Sequence, residues 1–128
     1  MTDSAAIRQN IENIEEAYEF MLAYAAQGRA DEGGGSDGAH IRDFMGRFVA
    51  AAETLVDQIS DTIEREGEVG VAMLAAFRHD SATILSVLRL VLARDNISSE
   101  MVDNTNGLIS MRAYLTSLFF IDKVIVAE

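Results

Sequence analysis

Apolar residues recur along this chain at intervals of three and four positions, with polar and charged residues between them. In the first segment the repeating positions are Ile7, Ile11, Ile14, Tyr18, Met21 and Ala25. In the second segment they are Ile41, Met45, Phe48, Ala52, Leu55 and Ile59. This spacing places one apolar stripe along one side of a helix, so both segments are predicted to be amphipathic α-helices.

Two further segments carry the same pattern. The third stripe consists of Leu74, Phe77, Ile84, Leu88 and Val91. The fourth contains Met101, Leu108, Met111, Leu115, Leu118, Phe119 and Ile125. The stretch VDNTNG near the start of the fourth segment has low helix propensity. The fourth helix could therefore be frayed or kinked over residues 98–107, or could begin after them.

These segments predict a single all-α domain. The helices are expected at about 3–28, 38–66, 68–94 and 98–127, with a flexible glycine-rich loop at 29–37. Proline is absent from all 128 residues, which agrees with long helices because proline removes a backbone donor and clashes with the preceding turn. Four helices of similar length joined by short links predict an antiparallel up-down four-helix bundle.

Composition excludes several classes of function. The formal net charge is −11, with ten cations scattered among 21 acids. We therefore expect no nucleic-acid partner, since such binding needs clustered cations. We expect no membrane partner either, because Asp80, Arg89 and Asp122 interrupt the apolar stretches. The chain has no cysteine and an acidic start, so we expect a soluble cytoplasmic protein without disulfides or thiolate metal sites.

The charge is unevenly divided between the two halves of the chain. Residues 1–68 hold 15 acids and five cations, a net charge of −10. Residues 69–128 hold six acids and five cations, a net charge of −1. The acidic first half is expected to keep the protein soluble or to meet a basic protein partner.

The third and fourth helices carry apolar surface beyond their stripes. The outward side of the third helix is predicted to present small residues, and the stretch AYLTSLFFIDKVIVA is apolar almost all the way round. We predict that these helices form a homodimer interface containing Ala75, Ala82, Ser86, Tyr114, Leu118, Phe120 and Ile121. The alternative interpretation is that the fourth helix is the central helix of an irregular bundle.

The first helix offers a smaller second patch. Phe20 and Tyr24 lie one turn apart and off the main stripe. Aromatic residues are frequent interface anchors, so both are candidate interface residues. The other interpretation is that they pack beneath the glycine-rich loop.

A histidine and an acid stand side by side in the stretch RHDSATILSVL. Heptad counting puts His79 at the outermost position of the third helix, and Asp80 follows it. The stretch resembles the histidine box of the dimeric phosphotransfer hairpin in histidine kinases and their relatives. The resemblance implies that His79 accepts a phosphoryl group while Asp80 orients its ring. The asparagine or proline common after the acid in that family is replaced here by Ser81, Ala82 and Thr83. The other interpretation is an ordinary surface histidine.

Other catalytic and metal-binding patterns are not predicted. Neither His40 nor His79 has a glutamate three residues before it, so the Glu-x-x-His motif of di-iron bundles is missing. Asp122 lies among apolar residues and is expected to pair with Lys123 or Arg112, or to reach solvent near the chain end. We expect no cofactor and no metal.

The function predicted from these patterns is non-enzymatic. We expect a small acidic adaptor or regulatory protein that acts by protein–protein interaction as a homodimer. One alternative is a phosphotransfer module using His79. Another is a bundle that carries a small apolar ligand between its helices.

Overall fold

The computed structural model describes residues 4–33 and 35–126, with side chains at all of them except residues 35–39. Its helices are α1 (Ser4–Ala25), α2 (Gly35–Glu64), α3 (Glu68–Leu92), α4 (Ser99–Asn106) and α5 (Ile109–Ile121), followed by a π-helical turn (Asp122–Val126). No strand occurs in these two ranges, so the predicted all-α fold class is confirmed. The predicted helix ends at residues 3 and 127 lie outside the described residues.

The helices pack in pairs around one apolar core. α1 packs against α2 and α4, and α3 packs against α2 and α5. At the centre, the Phe48 and Phe77 rings contact the Tyr114 ring with centroids 6.0 Å and 5.4 Å away. The middle of the core is therefore filled by side chains that come from three different helices.

The predicted stripes match the buried positions best in α2, where all six of the stripe residues are buried. In α1 the buried side chains are Ile7, Ile11, Ile14, Ala17, Met21 and Tyr24. The predicted Tyr18 and Ala25 are only half-buried, and Ala17 and Tyr24 are buried in their place. The buried face follows a repeat shorter than 3.6 residues, as is typical of a helix that coils around its neighbours.

The predicted fourth helix is interrupted. Residues 99–106 are helical, and Ser98 caps them by accepting a hydrogen bond from the Met101 N–H at 3.2 Å. The chain then turns at Gly107 and Leu108 before α5 begins. Of the three possibilities for this segment, the structure shows the kinked one. The cause is the low helix propensity of the stretch that ends in Gly107.

The π-helical turn changes which residues are buried at the end of the chain. Val126 follows the buried Ile121 by five residues, which is the hydrogen-bond spacing of a π-helix. Val126 is buried as a result, Ile125 is half-buried, and Val124 is exposed.

Polar contacts join the link before α2 to the link after α3. The Arg42 guanidinium binds the Glu32 carboxylate through two hydrogen bonds of 2.8 and 2.9 Å. It also donates to the carbonyl oxygens of Leu92, at 2.9 Å, and Arg94, at 2.6 Å. Glu32 in turn accepts from the Ile97 N–H at 2.8 Å. A cation at a helix C-terminus is favourable, so this clamp fixes the end of α3.

Tyr24 extends the same junction into the core. Its hydroxyl donates to the Ile97 carbonyl oxygen at 2.7 Å, and its carbonyl oxygen accepts from the Ser99 hydroxyl at 2.7 Å. Burial, and then the nearby Glu32 carboxylate, raises the pKa of Tyr24 above its ordinary value. The neutral hydroxyl thus remains a hydrogen-bond donor at physiological pH.

By length and composition alone, one helix in the described ranges could cross a membrane. This is α3, which reaches a mean hydropathy of 1.3 despite its charged residues. The charges of Arg78 and Asp80 do not keep α3 below this threshold, because alanine, valine and leucine predominate in the helix. Length and composition do not distinguish a membrane-spanning helix from the packed helix of a soluble bundle, because both pass the same test.

Candidate functional site

Large exposed apolar side chains are concentrated in the second half of the chain. Among the described residues they are Leu22, Val69, Val71, Leu90, Leu108, Ile109, Phe119, Phe120 and Val124. All but Leu22 belong to residues 69–124. Single exposed apolar side chains are common, whereas a contiguous group of them is typical of an interaction site.

Part of this surface forms an apolar groove of about 300 Å³ between the start of α3 and the end of α5. Val69 and Met73 line it from α3, and Phe120 and Val124 line it from the other side. Val69 is 77% exposed, Phe120 50% and Val124 62%. Glu66 is the one charged residue among those that line it. An aromatic side chain beside a groove of this kind can act as an anchor for a partner.

Gly70 sets the position of the α3 wall. A Cβ atom at this residue would lie 2.0 Å from the Ile63 carbonyl oxygen and 2.9 Å from the Glu66 Cβ. The first turn of α3 therefore packs directly against the last turn of α2, at a distance that only glycine permits. Val69 and Met73 flank this contact, so the same glycine holds the groove wall in place.

The outer face of α3 is nearly free of charge. Its exposed small residues are Ala72, Ala75, Ala76, Ala82 and Ser86. The two arginines of the helix turn toward α2, where Arg78 donates to the Ser60 hydroxyl at 3.1 Å and Arg89 pairs with Glu53. Small uncharged residues allow the backbone of another helix to approach closely, which favours helix–helix contact.

Four of the predicted interface residues are exposed. Ala75, Ala82 and Ser86 lie on the outer face of α3, and Phe120 lines the groove. The three α3 residues share one face of that helix, seven and four positions apart, whereas Phe120 stands by the groove on the α5 side of α3.

Four others are buried within the subunit and are withdrawn as surface residues. Tyr114, Leu118 and Ile121 are completely buried, because the inner face of α5 covers the core. Tyr24 is buried beneath the link that follows α1, with the Arg29 guanidinium 5.8 Å from its ring centroid. For Tyr24, packing under the loop was the correct interpretation.

Phe20 is half-buried and pairs with another aromatic ring of the same chain. Its ring stacks on Phe44 of α2, with a centroid distance of 4.2 Å and an interplanar angle of 9°. This contact occupies one face of the ring, so Phe20 contributes to the α1–α2 contact and offers little surface to a partner.

Sequence reasoning missed several residues of the apolar surface. Val69 carried a usable signal, since it lies four residues before Met73 on the same side of the helix. Ile109 is 84% exposed because it opens α5, a boundary that the sequence left undefined. Val124 is exposed because of the π-helical turn, which apolar spacing does not reveal.

His79 projects from the outer face of α3 as predicted, and Asp80 is half-buried. The His79 carbonyl oxygen accepts a hydrogen bond from the Thr83 hydroxyl at 3.1 Å. Within the described residues no acid contacts the imidazole, although a phosphate-accepting histidine needs an orienting group.

Asp122 does not form the predicted ion pair. It is half-exposed and lines a surface depression with Arg8, Glu12 and Lys123, and no salt bridge joins it to any described residue. Asp122 begins the π-helical turn, where its carboxylate reaches solvent. Of the two possibilities, the solvent-exposed one applies.

Within the two described ranges, no group of three or more histidine, aspartate or glutamate side chains is placed to hold a metal ion. A comparison of the chain with protein-family models, with curated proteins and with solved structures finds no match. The candidate site is therefore described from the positions of its own residues, without reference to a related protein.

Proposed function

We propose that this chain is a small, non-enzymatic interaction protein that forms a homodimer through the outer faces of α3 and α5. The observation that supports this most is the apolar groove beside Phe120, together with the exposed Val69 and Val124. Transfer of apolar surface out of water contributes about 25 cal/mol per Å², so covering these side chains favours association.

We further propose that α4 and α5 together act as the fourth helix of an antiparallel up-down four-helix bundle. The packing of α4 on α1 and of α5 on α3 supports this, because two short helices then complete the ring that α1, α2 and α3 begin. In that arrangement α3 and α5 are neighbours over the 13 residues of α5, which gives a shared contact face.

The charge distribution along the chain favours a second copy of the same chain as the partner that covers the apolar groove. The chain carries −11 in total, yet residues 69–128 carry only −1. Two copies therefore repel each other least when they meet through this half. α3 has 25 residues and is about 37 Å long at 1.5 Å per residue. α5 has 13 residues and lies beside it over about 20 Å, so the shared face extends over roughly half the length of α3.

The acidic face of α1 and α2 remains outside such a dimer. Glu12, Glu15, Glu16 and Glu19 are all exposed on α1. We propose that this face keeps the dimer soluble in the cytoplasm and is the surface that meets a basic protein partner in an adaptor or regulatory role. Complementary charge raises association rates and selects partners more than it raises affinity.

The homodimer is tested by measuring molar mass in solution. Sedimentation or light scattering at micromolar concentration should give twice the chain mass of 14.0 kDa. Phe120→Glu should return the mass to that of one chain, because it places a charge in the contact. Leu22→Glu is the matched control, since Leu22 is 46% exposed on α1, and it should leave the dimer intact. A wild-type protein of 14.0 kDa would end the proposal.

The position of the interface can be mapped separately. Because the chain has no cysteine, a single introduced thiol reports on its own surroundings. Alkylation of an Ala75→Cys variant should slow as the protein concentration rises, while an Asp57→Cys variant on α2 should react at a constant rate. Equal behaviour of the two thiols would place the contact elsewhere.

A further inference from the structure

His79 lies at the middle of the outer face of α3. The helix runs from Glu68 to Leu92, and His79 is the twelfth of its 25 residues. Phe77 and Ser81, each two residues away, are buried in the core. At 3.6 residues per turn, a separation of two residues is about 200°, so the exposed His79 lies on the side of the helix opposite the core.

Small residues flank His79 on both sides along this face. The positions three, four and seven residues away share its side of the helix. Thr83, one of these, is half-buried, and its hydroxyl donates to the His79 carbonyl oxygen. The others are all exposed and small, namely Ala72, Ala75, Ala76, Ala82 and Ser86. His79 is therefore a long polar side chain at the centre of a low, uncharged face.

The two acids of α3 lie away from the centre of this face. Asp80 is half-buried and follows Val69 by eleven residues, which is three turns, so it lies on the groove side of the helix. Glu68 lies on the outer side but begins the helix, about 16 Å from His79 along the axis. Neither acid is placed to compensate a charge on the imidazole.

The charged groups on the α2 side lie beside α3 and not over its outer face. Arg78 of α3 donates to the Ser60 hydroxyl, and Arg89 pairs with Glu53. Ser60 and Glu53 thus mark the side of α2 that faces α3. The acids that follow each of them by four residues, and so share that side, are Asp57 and Glu64.

The charged residues of α4, α5 and the π-helical turn lie beside α1. They line surface depressions to which α3 contributes no residue, and they are Glu100, Asp103, Arg112, Asp122 and Lys123. Among the described residues, His79 is thus the titratable group at the centre of the outer face of α3.

An antiparallel contact centred on His79 makes this face complementary to itself. Residues equally far before and after His79 then face each other, so that Ala72 lies opposite Ser86 of the copy and Ala76 lies opposite Ala82. Small residues meet small residues on both sides of the centre, which allows the helices to approach closely. A residue on the two-fold axis of such a dimer contacts its own copy.

The two ends of α3 favour the antiparallel order. The first turn of the helix contains the acid Glu68, and the last turn contains the base Arg89. Antiparallel copies place the acidic end of each helix beside the basic end of the other, and their macrodipoles oppose each other. A parallel pair would instead bring like ends together.

We propose that the homodimer, on which this inference rests, pairs the two α3 helices antiparallel about an axis at His79, and that mild acid separates the copies. Histidine is the side chain whose charge ordinarily changes between about pH 5 and pH 8. Two neutral imidazoles pack together, whereas two imidazolium ions repel each other and lose water in the contact. The dimer is therefore strongest above this range and weakens as pH falls through it, because the separated chains take up protons more readily.

The pH dependence is measured by sedimentation of the full chain over a range of concentrations at about pH 7.5 and about pH 5.5. The dimer dissociation constant should be about tenfold higher or more at the lower pH, since each dimer holds two such histidines. His79→Gln should remove that difference. His40→Gln is the matched control and should keep it, because His40 is the other histidine of the chain and is exposed on α2.

A single introduced cysteine locates the axis, since the chain has none of its own. On mild oxidation at about pH 7.5, a His79→Cys chain should form a disulfide with its own copy, because a disulfide needs Cα atoms within roughly 7 Å. Ala72→Cys should not, because antiparallel copies hold that residue about 21 Å from its equivalent. A mixture of Ala72→Cys and Ser86→Cys chains should form the disulfide.

The outcomes separate this inference from the homodimer itself. A wild type that is monomeric at both pH values contradicts the homodimer and the inference together. A wild-type dimer of equal strength at both pH values leaves the homodimer standing and overturns the role of His79. A His79→Gln dimer that is still sensitive to acid does the same. A disulfide in Ala72→Cys but not in His79→Cys overturns the antiparallel axis.

Discussion

α2 and α3 bury similar apolar stripes but present different faces to the outside. The exposed positions of α2 include Asp43, Glu53 and Asp57, so its outer side is well solvated. The corresponding face of α3 consists largely of alanine and serine around His79, and the groove that α3 forms with α5 is apolar. The buried stripe indicates which segments form helices, whereas the composition of the outer face indicates whether a helix faces solvent or another protein surface. By that comparison, α3 is the helix whose outer face is suited to contact with another protein surface.

The largest expected difference between the two helices concerns one glycine in each. Gly70→Ala in α3 should lower the free energy of unfolding by about 3 kcal/mol or more, because the added Cβ meets the Ile63 carbonyl oxygen at 2.0 Å. Gly46→Ala in α2 should raise it by roughly 0.5–1 kcal/mol, since nothing lies within 4 Å of its Cβ and alanine is the better helix former.

Urea denaturation at one fixed protein concentration measures both changes, because the stability of a dimer depends on concentration. The two midpoints should move in opposite directions at equal slope. If Gly70→Ala is as stable as the wild type, the close contact between the last turn of α2 and the first turn of α3 is not a requirement of the fold.

Much of the fold follows from the sequence, and the site follows less well. Apolar spacing is a local property, so it predicted six of the buried positions of α2 and the buried Leu74, Phe77, Ile84 and Leu88 of α3. It also placed Ala75, Ala82 and Ser86 on the outer face of α3. These successes need only the geometry of one helix.

The failures arise where the helix geometry changes. At the break, Leu108 and Ile109 are exposed, although the fourth stripe included Leu108, whereas its members Met111, Leu115 and Leu118 are buried as predicted. The π-helical turn then brings Val124 to the surface. Neither change leaves a mark in the apolar spacing, because both depend on how the chain end packs against its neighbours.

The next largest difference is between the losses of stability expected when two ion pairs, Glu32–Arg42 and Glu53–Arg89, are each removed. Glu32→Gln should cost about 1–2 kcal/mol, since this carboxylate binds Arg42 twice and also accepts from the Ile97 N–H. Glu53→Gln should cost less than about 0.5 kcal/mol, because Glu53 and Arg89 are both about half exposed on the surface. Denaturation in low and high salt provides the check. Equal losses would mean that the clamp is no stronger than an ordinary surface pair.

Two buried tyrosines, one in each half, should respond oppositely to loss of the hydroxyl. The Tyr114 hydroxyl is buried with no hydrogen-bond partner among the described residues, so Tyr114→Phe should stabilise the protein by about 1 kcal/mol. The Tyr24 hydroxyl donates to the Ile97 carbonyl oxygen, so Tyr24→Phe should destabilise it by about 1 kcal/mol. Thermal melts of both variants measure the difference. A loss of stability in Tyr114→Phe would show that its hydroxyl has a partner after all.

The smallest expected effect is the pH dependence of the stability gained by Tyr114→Phe. Burial raises the pKa of Tyr114 in the folded state, while in the unfolded chain it ionises near its ordinary pKa of about 10. Its contribution to stability is therefore complete below that pH and declines above it, because only the unfolded state then loses the proton. At about 1.4 kcal/mol per pH unit per proton, the advantage of Tyr114→Phe should grow by roughly 0.8 kcal/mol between about pH 9 and pH 10.5. Denaturation midpoints of the variant and the wild type at those two pH values measure the change. A constant advantage would mean that Tyr114 ionises equally in the folded and unfolded chains, which is incompatible with a hydroxyl sealed in the core between Phe48 and Phe77.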